Sequence, residues 1–411
     1  MIVSKSYKFK LLPKPLQRKI FAKYAGSCRF IYNWGLGKKK ELWNSKQASL
    51  SYNELANRLT LLKKEEETCW LKETPAQLLQ QSLKDLDQAY KNFFRRLKEG
   101  VFGSEAGEPR FKKKGKSRDA FRFPQPSHFT IRPISNKKSL LKLPKIGEVK
   151  FLQSRKIKGR IRNCTISKDG DNWFVSFNTE QEIDDIVNCG TPIGIDRGIT
   201  HTLVTSEGTC YNLPVIKIKK LEARKKVLQS RLKNKTKFSK TWGKAQKRIR
   251  KIDKKITNIR NDFLHKASTD LAKNHSYIAL EALKIKNMSK SAKGTVESPG
   301  KNVKAKSGLN RSILRQGWFK FETLLRYKTE WFGGFLDSVD PKNTSRKCIK
   351  CNHLSKENRE SQALFFCKNC GFKTNADYNA SINILTRGHW GSASGDVDLI
   401  ESLKLEPITL H

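Results

Sequence analysis

No apolar run in the 411 residues approaches the roughly 18 positions that a membrane-spanning helix needs, and no signal-like segment follows Met1. The chain is therefore expected in the cytoplasm, associated with the nucleoid, and not in or across a membrane. Acidic residues are also scarce: 38 Asp and Glu stand against 84 Lys and Arg, a formal charge of +46. A compact chain with that excess repels itself unless a polyanion neutralises it. Nucleic acid is the natural partner, through phosphate contacts and counterion release. The scarcity is most extreme in residues 217–260, where 19 Lys or Arg face only Glu222 and Asp253. Hydrophobic content of 37% still excludes a disordered polycation, and the length suffices for two or three domains with their own cores.

Cysteine is sparse but patterned. Cys348-x-x-Cys351 is followed, after fifteen residues, by Cys367-x-x-Cys370, the spacing of a zinc ribbon in which four thiolates surround one structural Zn²⁺. Cys28, Cys69, Cys164, Cys189 and Cys210 are scattered and read as small core fillers, not as disulfides. Six residues past the last ligand, Ala376-Asp377-Tyr378-Asn379-Ala380 opens a helical run through Leu385. Asp377 in its first turn either caps that helix or is delivered by the zinc module to a site.

Along the chain, Ile2–Leu12 alternates as a strand and is stopped by Pro13 and Pro15. From Leu16 to about Leu97 the pattern is helical, with most of its aromatics inward and its Arg and Lys forming a phosphate-facing surface. Residues 99–120 read as a basic linker, and Ala120 to Glu180 as a small antiparallel barrel that the N-terminal strand joins. Lys168-Asp169-Gly170-Asp171 predicts a hairpin turn within it. A third part begins at Thr191, where Ile193 and Ile195 share one face of a strand and Asp196 takes the other. Gly194 and Gly198 there leave room for a ligand backbone. A three-stranded meander, a basic helical hairpin over 217–260, and a strand ending at Glu281 follow. Residues 286–310 read as a mobile loop, Ser312 to Phe332 as helix, and Phe335 to Val339 as strand. The tail, 389–411, is expected to be poorly ordered.

Three carboxylates stand out by placement: Asp196 and Glu281 at strand ends, and Asp377 at a helix start. The order strand-strand-strand-helix-strand-helix-strand-helix is that of an RNase H-like fold, in which those positions converge at one sheet edge. Clustered carboxylates repel one another unless divalent ions sit between them. Mg²⁺, two ions about 4 Å apart, suits such hard oxygen ligands and stabilises in-line displacement at phosphorus.

With these residues in view, the chain resembles TnpB, the transposon-encoded RNA-guided DNA endonucleases related to compact type V CRISPR effectors. The resemblance rests on Ile195-Asp196-Arg197-Gly198, Leu280-Glu281-Ala282-Leu283, Gly317-Trp318, Tyr327-Lys328, Ser345 to Cys351, Cys367 to Gly371 and Ala376 to Leu385. Similar stretches nearer the N-terminus are Arg29 to Asn33, Tyr90 to Phe94 and Pro109 to Lys113. The resemblance implies a multidomain α+β protein: a wedge β-barrel (1–12 and 120–190) with an inserted helical recognition domain (13–119). An RNase H-like RuvC nuclease domain (191–340, last helix 376–388) follows, containing a zinc ribbon (341–375). It implies a catalytic triad of Asp196, Glu281 and Asp377, each also a magnesium ligand, in a monomer. The implied partners are a guide RNA from a transposon end and double-stranded target DNA. A short flanking motif would be read by the protein, and a single RuvC site would cut both strands in turn under a lid at 286–310. Two other readings stand beside it. One is a regulatory RNA-guided DNA-binding protein that never cuts, against which the three acids speak. The other is a DDE-type transposase, whose acidic order is Asp, Asp, Glu where this chain has Asp, Glu, Asp.

Overall fold

The computed structural model describes residues 1–45 and 50–390, so the tail expected to be poorly ordered lies outside the described residues from 391 onward. The chain divides into two compact units, Met1–Ile183 and the remainder from Asp184.

In the first unit, β1 (Ile2–Leu12) buries Val3, Tyr7, Phe9 and Leu11, its odd-numbered positions, as the period-2 pattern requires. Pro15 opens α1 (Pro15–Asn44), where its missing N–H costs nothing. Ser51 and Glu54 form a reciprocal capping box at the start of α2 (Tyr52–Leu62), and Pro75 precedes α3 (Ala76–Lys98). The strands β2 (Ala120–Phe123), β3 (Thr130–Ser135), β4 (Lys138–Leu143), β5 (Gly147–Leu152), β6 (Arg160–Asp169) and β7 (Asn172–Glu182) then form one antiparallel sheet with β1. Its order is β2-β6-β7-β1-β5-β4-β3, so the N-terminal strand is central. Gly170, at φ +63°, makes the predicted β6–β7 turn. Phe9, Phe151 and Phe177 meet with ring centroids 5.6–6.2 Å apart, and Phe21 of α1 meets Trp173 at 5.1 Å, joining helices and sheet in one core. The basic linker is strapped to α1, because the Asn33 amide bonds both the N–H and the carbonyl of Lys112.

The second unit holds β8 (Ile193–Asp196), β9 (Leu203–Thr205), β10 (Cys210–Tyr211), α4 (Val215–Lys233), α5 (Lys240–Asn274) and β11 (Tyr277–Glu281). These are followed by α6 (Ile285–Met288), α7 (Val303–Gln316), α8 (Trp318–Trp331), β12 (Phe335–Val339), β13 (Leu364–Phe366), β14 (Lys373–Asn375) and α9 (Ala376–Trp390). The sheet order is β10-β9-β8-β11-β12, with β8, β11 and β12 parallel and the first three strands antiparallel. Alternation sorts the faces. Ile193, Ile195, Ile278 and Leu280 join Leu264, Leu271, Phe321 and Leu325 of α5 and α8 in one cluster, while Ala279 and Val339 pack with Ile384 of α9. Gly194, Asp196 and Glu281 therefore fall on the α9 side.

Three expectations change. Residues 303–310 are helical where a loop was expected. Lys306 bonds the Met288 carbonyl, Asn310 bonds those of Ser289 and Lys290, and these tertiary ties hold a segment whose Lys-Ser-Gly composition gives no local helix signal. The helix expected from Ser312 to Phe332 is broken at Gly317, whose φ of +75° ends α7 and starts α8. Finally, Cys28 and Cys164 fill core positions, but Cys69, Cys189 and Cys210 are exposed, since their backbone segments lie at the surface. Among the described residues, no helix is long and apolar enough to cross a membrane.

Candidate active site and cysteine cluster

β8 and β11 run parallel with Leu280 opposite Ile195, so Asp196 and Glu281 occupy the next position of each strand, at the same end and on the same face. α9 closes on that face. A Cβ at Gly194 would collide with the Ser381 carbonyl and come to 2.7 Å from the Leu385 nitrogen. The room at Gly194 thus serves the α9 backbone and not a ligand, which corrects the sequence expectation. At the head of α9, Asn375 does the capping: its Oδ1 accepts from the backbone N–H of Asp377 (2.9 Å) and Tyr378 (3.2 Å). The Asp377 carboxylate is left to face the strand ends.

All three carboxyls are pushed toward the protonated form. Burial drives Asp196 up to about 7, with the charges of Glu281 and Asp377 adding to it. Burial also raises Glu281, opposed by a hydrogen bond from Thr344 and by the Arg197 charge. It raises Asp377, opposed by Arg359 and His201. The three acids thus form one group, drawn from two strand ends and a helix start and only partly offset by nearby cations.

Four further residues shape the group, and sequence reading gave none of them a role. Arg197, its side chain wholly buried, donates to the Glu281 backbone carbonyl and to Glu322 Oε2 of α8 at 3.1 Å. Thr344 Oγ1 donates to Glu281 Oε1 at 2.6 Å. Arg359 Nη2 lies 3.9 Å from Asp377 Oδ1. Asn375 is the cap described above. Only Arg197 carried a signal, its place directly after Asp196; the others come from separate segments with no shared period.

The four ligand cysteines come together, with all four Sγ atoms within 4.8 Å of one another and the pairs Cys348–Cys370 and Cys351–Cys367 at 3.7 and 3.5 Å. Zinc–sulfur bonds of about 2.3 Å set tetrahedral sulfurs about 3.8 Å apart, so the donor set fits one zinc ion. The Cys348 knuckle is fastened to α9. Asn379 and Asn383, one turn apart, both donate to the Lys347 carbonyl (2.9 and 2.7 Å), and Asn383 also donates to that of Thr344 (2.9 Å).

Over its full length the chain matches InsQ of Escherichia coli (strain K12), provisionally named an RNA-guided DNA endonuclease, at 42% identity over 98% of this chain and 97% of that protein. The chain belongs to the TnpB (IS605 OrfB) family. Family models match residues 176–292 ("Probable transposase"), 318–384 ("Cas12f1-like, TNB domain") and 1–48 ("Helix-turn-helix domain"). In this TnpB chain the described part of the last segment, residues 1–45, holds the strand β1 and the long helix α1. A Streptomyces pristinaespiralis protein, also provisionally named an RNA-guided DNA endonuclease, is 28% identical over 96% of this chain and 92% of its own. A cryo-EM structure of a Cas12f1–sgRNA–target DNA complex aligns with 93% of this chain and 98% of that one, at a TM-score of 0.49 and 13% identity.

Proposed function

We propose that the protein is an RNA-guided DNA endonuclease of a transposable element, hydrolysing target phosphodiesters at the Asp196, Glu281 and Asp377 group. The observation that carries this reading is the convergence of Asp196 at the end of β8, Glu281 at the end of β11 and Asp377 at the start of α9, near enough that the charges of the last two help raise the first. Such a group is costly without cations, and its donors are the hard oxygens Mg²⁺ prefers. Three carboxylates in one group could hold two such ions. Asp196, Glu281 and Asp377 would hold the magnesium, whose chemistry there would be activation of a water and stabilisation of the leaving 3′ oxygen. This chain's own part is to hold the ligands rigid from backbone elements. Arg359, the cation beside Asp377, is suited to a non-bridging phosphate oxygen.

The parallel β8-β11-β12 arrangement flanked by antiparallel strands supports an RNase H-like, RuvC-type domain for 191–340 and 376–388. The cysteine cluster supports a zinc ribbon over 341–375. The antiparallel sheet of the first unit supports a wedge of 1–12 and 120–190 around a recognition domain of 13–119. The +46 charge supports a guide RNA from the transposon end, with sequence supplied by base pairing and a short flanking motif read by protein. A monomer in the cytoplasm, cutting both strands in turn at one site, completes the reading. The retained triad weighs against a regulator that never cuts.

Two measurements test this. Nucleic acid co-purifying with the protein should be one discrete RNA species. In the RNA-bound complex, Asp196→Ala should abolish Mg²⁺-dependent cleavage and leave target binding within about threefold, since the carboxylate holds metal and not nucleic acid. Cleavage above trace rates by that variant, or only random nucleic acid in the purified protein, overturns the assignment.

A further inference from the structure

Glu281 is held differently from the other two acids. Its Oε1 accepts the Thr344 hydroxyl at 2.6 Å, and no hydrogen bond reaches its Oε2 among the described residues. Thr344 is 2% exposed, and its hydroxyl has one proton with two acceptors in reach, Glu281 Oε1 and the Pro341 carbonyl at 3.2 Å. The shorter contact to the charged oxygen wins. Thr344 is itself immobilised. Its carbonyl accepts from Asn383, and three residues on, the Lys347 carbonyl accepts from both Asn379 and Asn383. Asn379 Oδ1 faces the Ile349 N–H at 3.4 Å, so the turn leading into Cys348 is gripped from both sides. Asn379 is fully buried and Asn383 nearly so; removing the Asn383 amide would take the asparagine donor from the Thr344 carbonyl, while removing the Asn379 amide would leave that of Lys347 with Asn383 alone.

We propose that Thr344 is a positioning residue for the cation site: anchored by the Asn379–Asn383 clamp at the root of the zinc ribbon, its hydroxyl orients the Glu281 carboxylate so that Oε2 faces the bound divalent cation. The ribbon thereby sets two of the three ligands, Asp377 through β14 and Glu281 through Thr344. Outer hydrogen bonds of this kind fix a ligand's orientation, and losing one typically costs about 10–100-fold in metal affinity. The inference rests on Glu281 being a cation ligand.

The test uses the full-length, zinc-loaded protein. Mn²⁺ binding is followed by calorimetry in Thr344→Val, which keeps the shape but loses the donor, in Thr344→Ser, which keeps the donor, and in Glu281→Ala. Each variant, as its guide-RNA complex, is then assayed for the Mg²⁺ concentration giving half-maximal cleavage. Thr344→Val should weaken Mn²⁺ binding and raise the half-saturating Mg²⁺ about tenfold or more, with zinc content unchanged. Thr344→Ser should stay within about threefold of wild type by the same scale. Wild-type metal binding in Thr344→Val, equal loss in Thr344→Ser, or loss of zinc in Thr344→Val overturns the positioning role. If Glu281→Ala binds Mn²⁺ and cleaves like wild type, the site assignment itself fails; if only the Thr344 variants are silent, the failure is confined to the positioning role.

Discussion

The α4–α5 hairpin and α9 belong to the same unit and handle polarity in opposite ways. The basic stretch of the hairpin buries a thin seam, Ile218, Ile249 and Ile252, and leaves most of its cations in solvent. A few are matched, such as Lys225 with Asp253 at 2.6 Å. α9 instead buries its polar residues: Asn379, Ser381 and Asn383 all face inward, and both asparagines hold named carbonyl partners. Charge on the hairpin acts as a sum in which any member is replaceable. On α9 single atoms matter, because a stranded buried group costs about 1–3 kcal/mol. The lesson is that affinity for a polyanion can be spread over a surface, while the placement of a reacting group cannot.

The sharpest way to break this contrast lies on the α9 side. Cys367→Ser opens the thiolate cage, so elemental analysis should fall from about one zinc per chain toward none. β14 and the Cys348 knuckle then lose their hold on α9, and guided cleavage should drop below detection. A metal-free variant that still cuts at the wild-type rate would mean that α9 needs no ribbon. On the hairpin the response should be graded. Replacing exposed Lys219, Lys226, Lys251 and Lys255 with Gln should weaken nucleic-acid binding and flatten its salt dependence, by roughly one log–log unit for each phosphate no longer neutralised. The cleavage rate of the saturated complex should hold. An unchanged slope with both guide RNA and target DNA would remove this face from the binding surface. The smallest effect concerns Asp196 itself. Its folded carboxyl is raised to about 7 from 3.8, so the associated stability is present below pH 4 and is lost as pH rises through 7. In magnesium-free buffer Asp196→Asn should melt above wild type at pH 8, by about 2–4 °C for each kcal/mol relieved, and level with it near pH 4. Added Mg²⁺ should narrow the gap at pH 8. A pH-independent difference would show that Asp196 is not the buried charge it is taken to be.

Much of this architecture could be read before any coordinates, because its cause is periodic. β1, the basic hairpin and the strand ends at Asp196 and Glu281 follow from period-2 and 3.6-residue patterns, and the CxxC pairs from fixed ligand spacing. What stayed hidden depends on partners distant in sequence. α7 is held by carbonyls at 288–290, and Glu281 is oriented by a threonine 63 residues away. Asp377 had two possible roles until Asn375 was seen to cap the helix, a choice between neighbouring polar residues that no spacing decides. Gly194 was read correctly as a point of close approach and wrongly as to what approaches.

That approach constrains how the enzyme can be controlled. With no side chain between Gly194 and the Ser381–Leu385 backbone, β8 and α9 touch main chain to main chain. Side chains yield by turning about single bonds, but two abutting backbones yield only if hydrogen bonds break or a whole element shifts. The separation between the strand end bearing Asp196 and the helix start bearing Asp377 is thus a stiff length, set in the folded chain before any nucleic acid arrives. If these acids are the cutting site proposed above, control over cutting falls to which strand is admitted, and when, since their spacing has little freedom to respond.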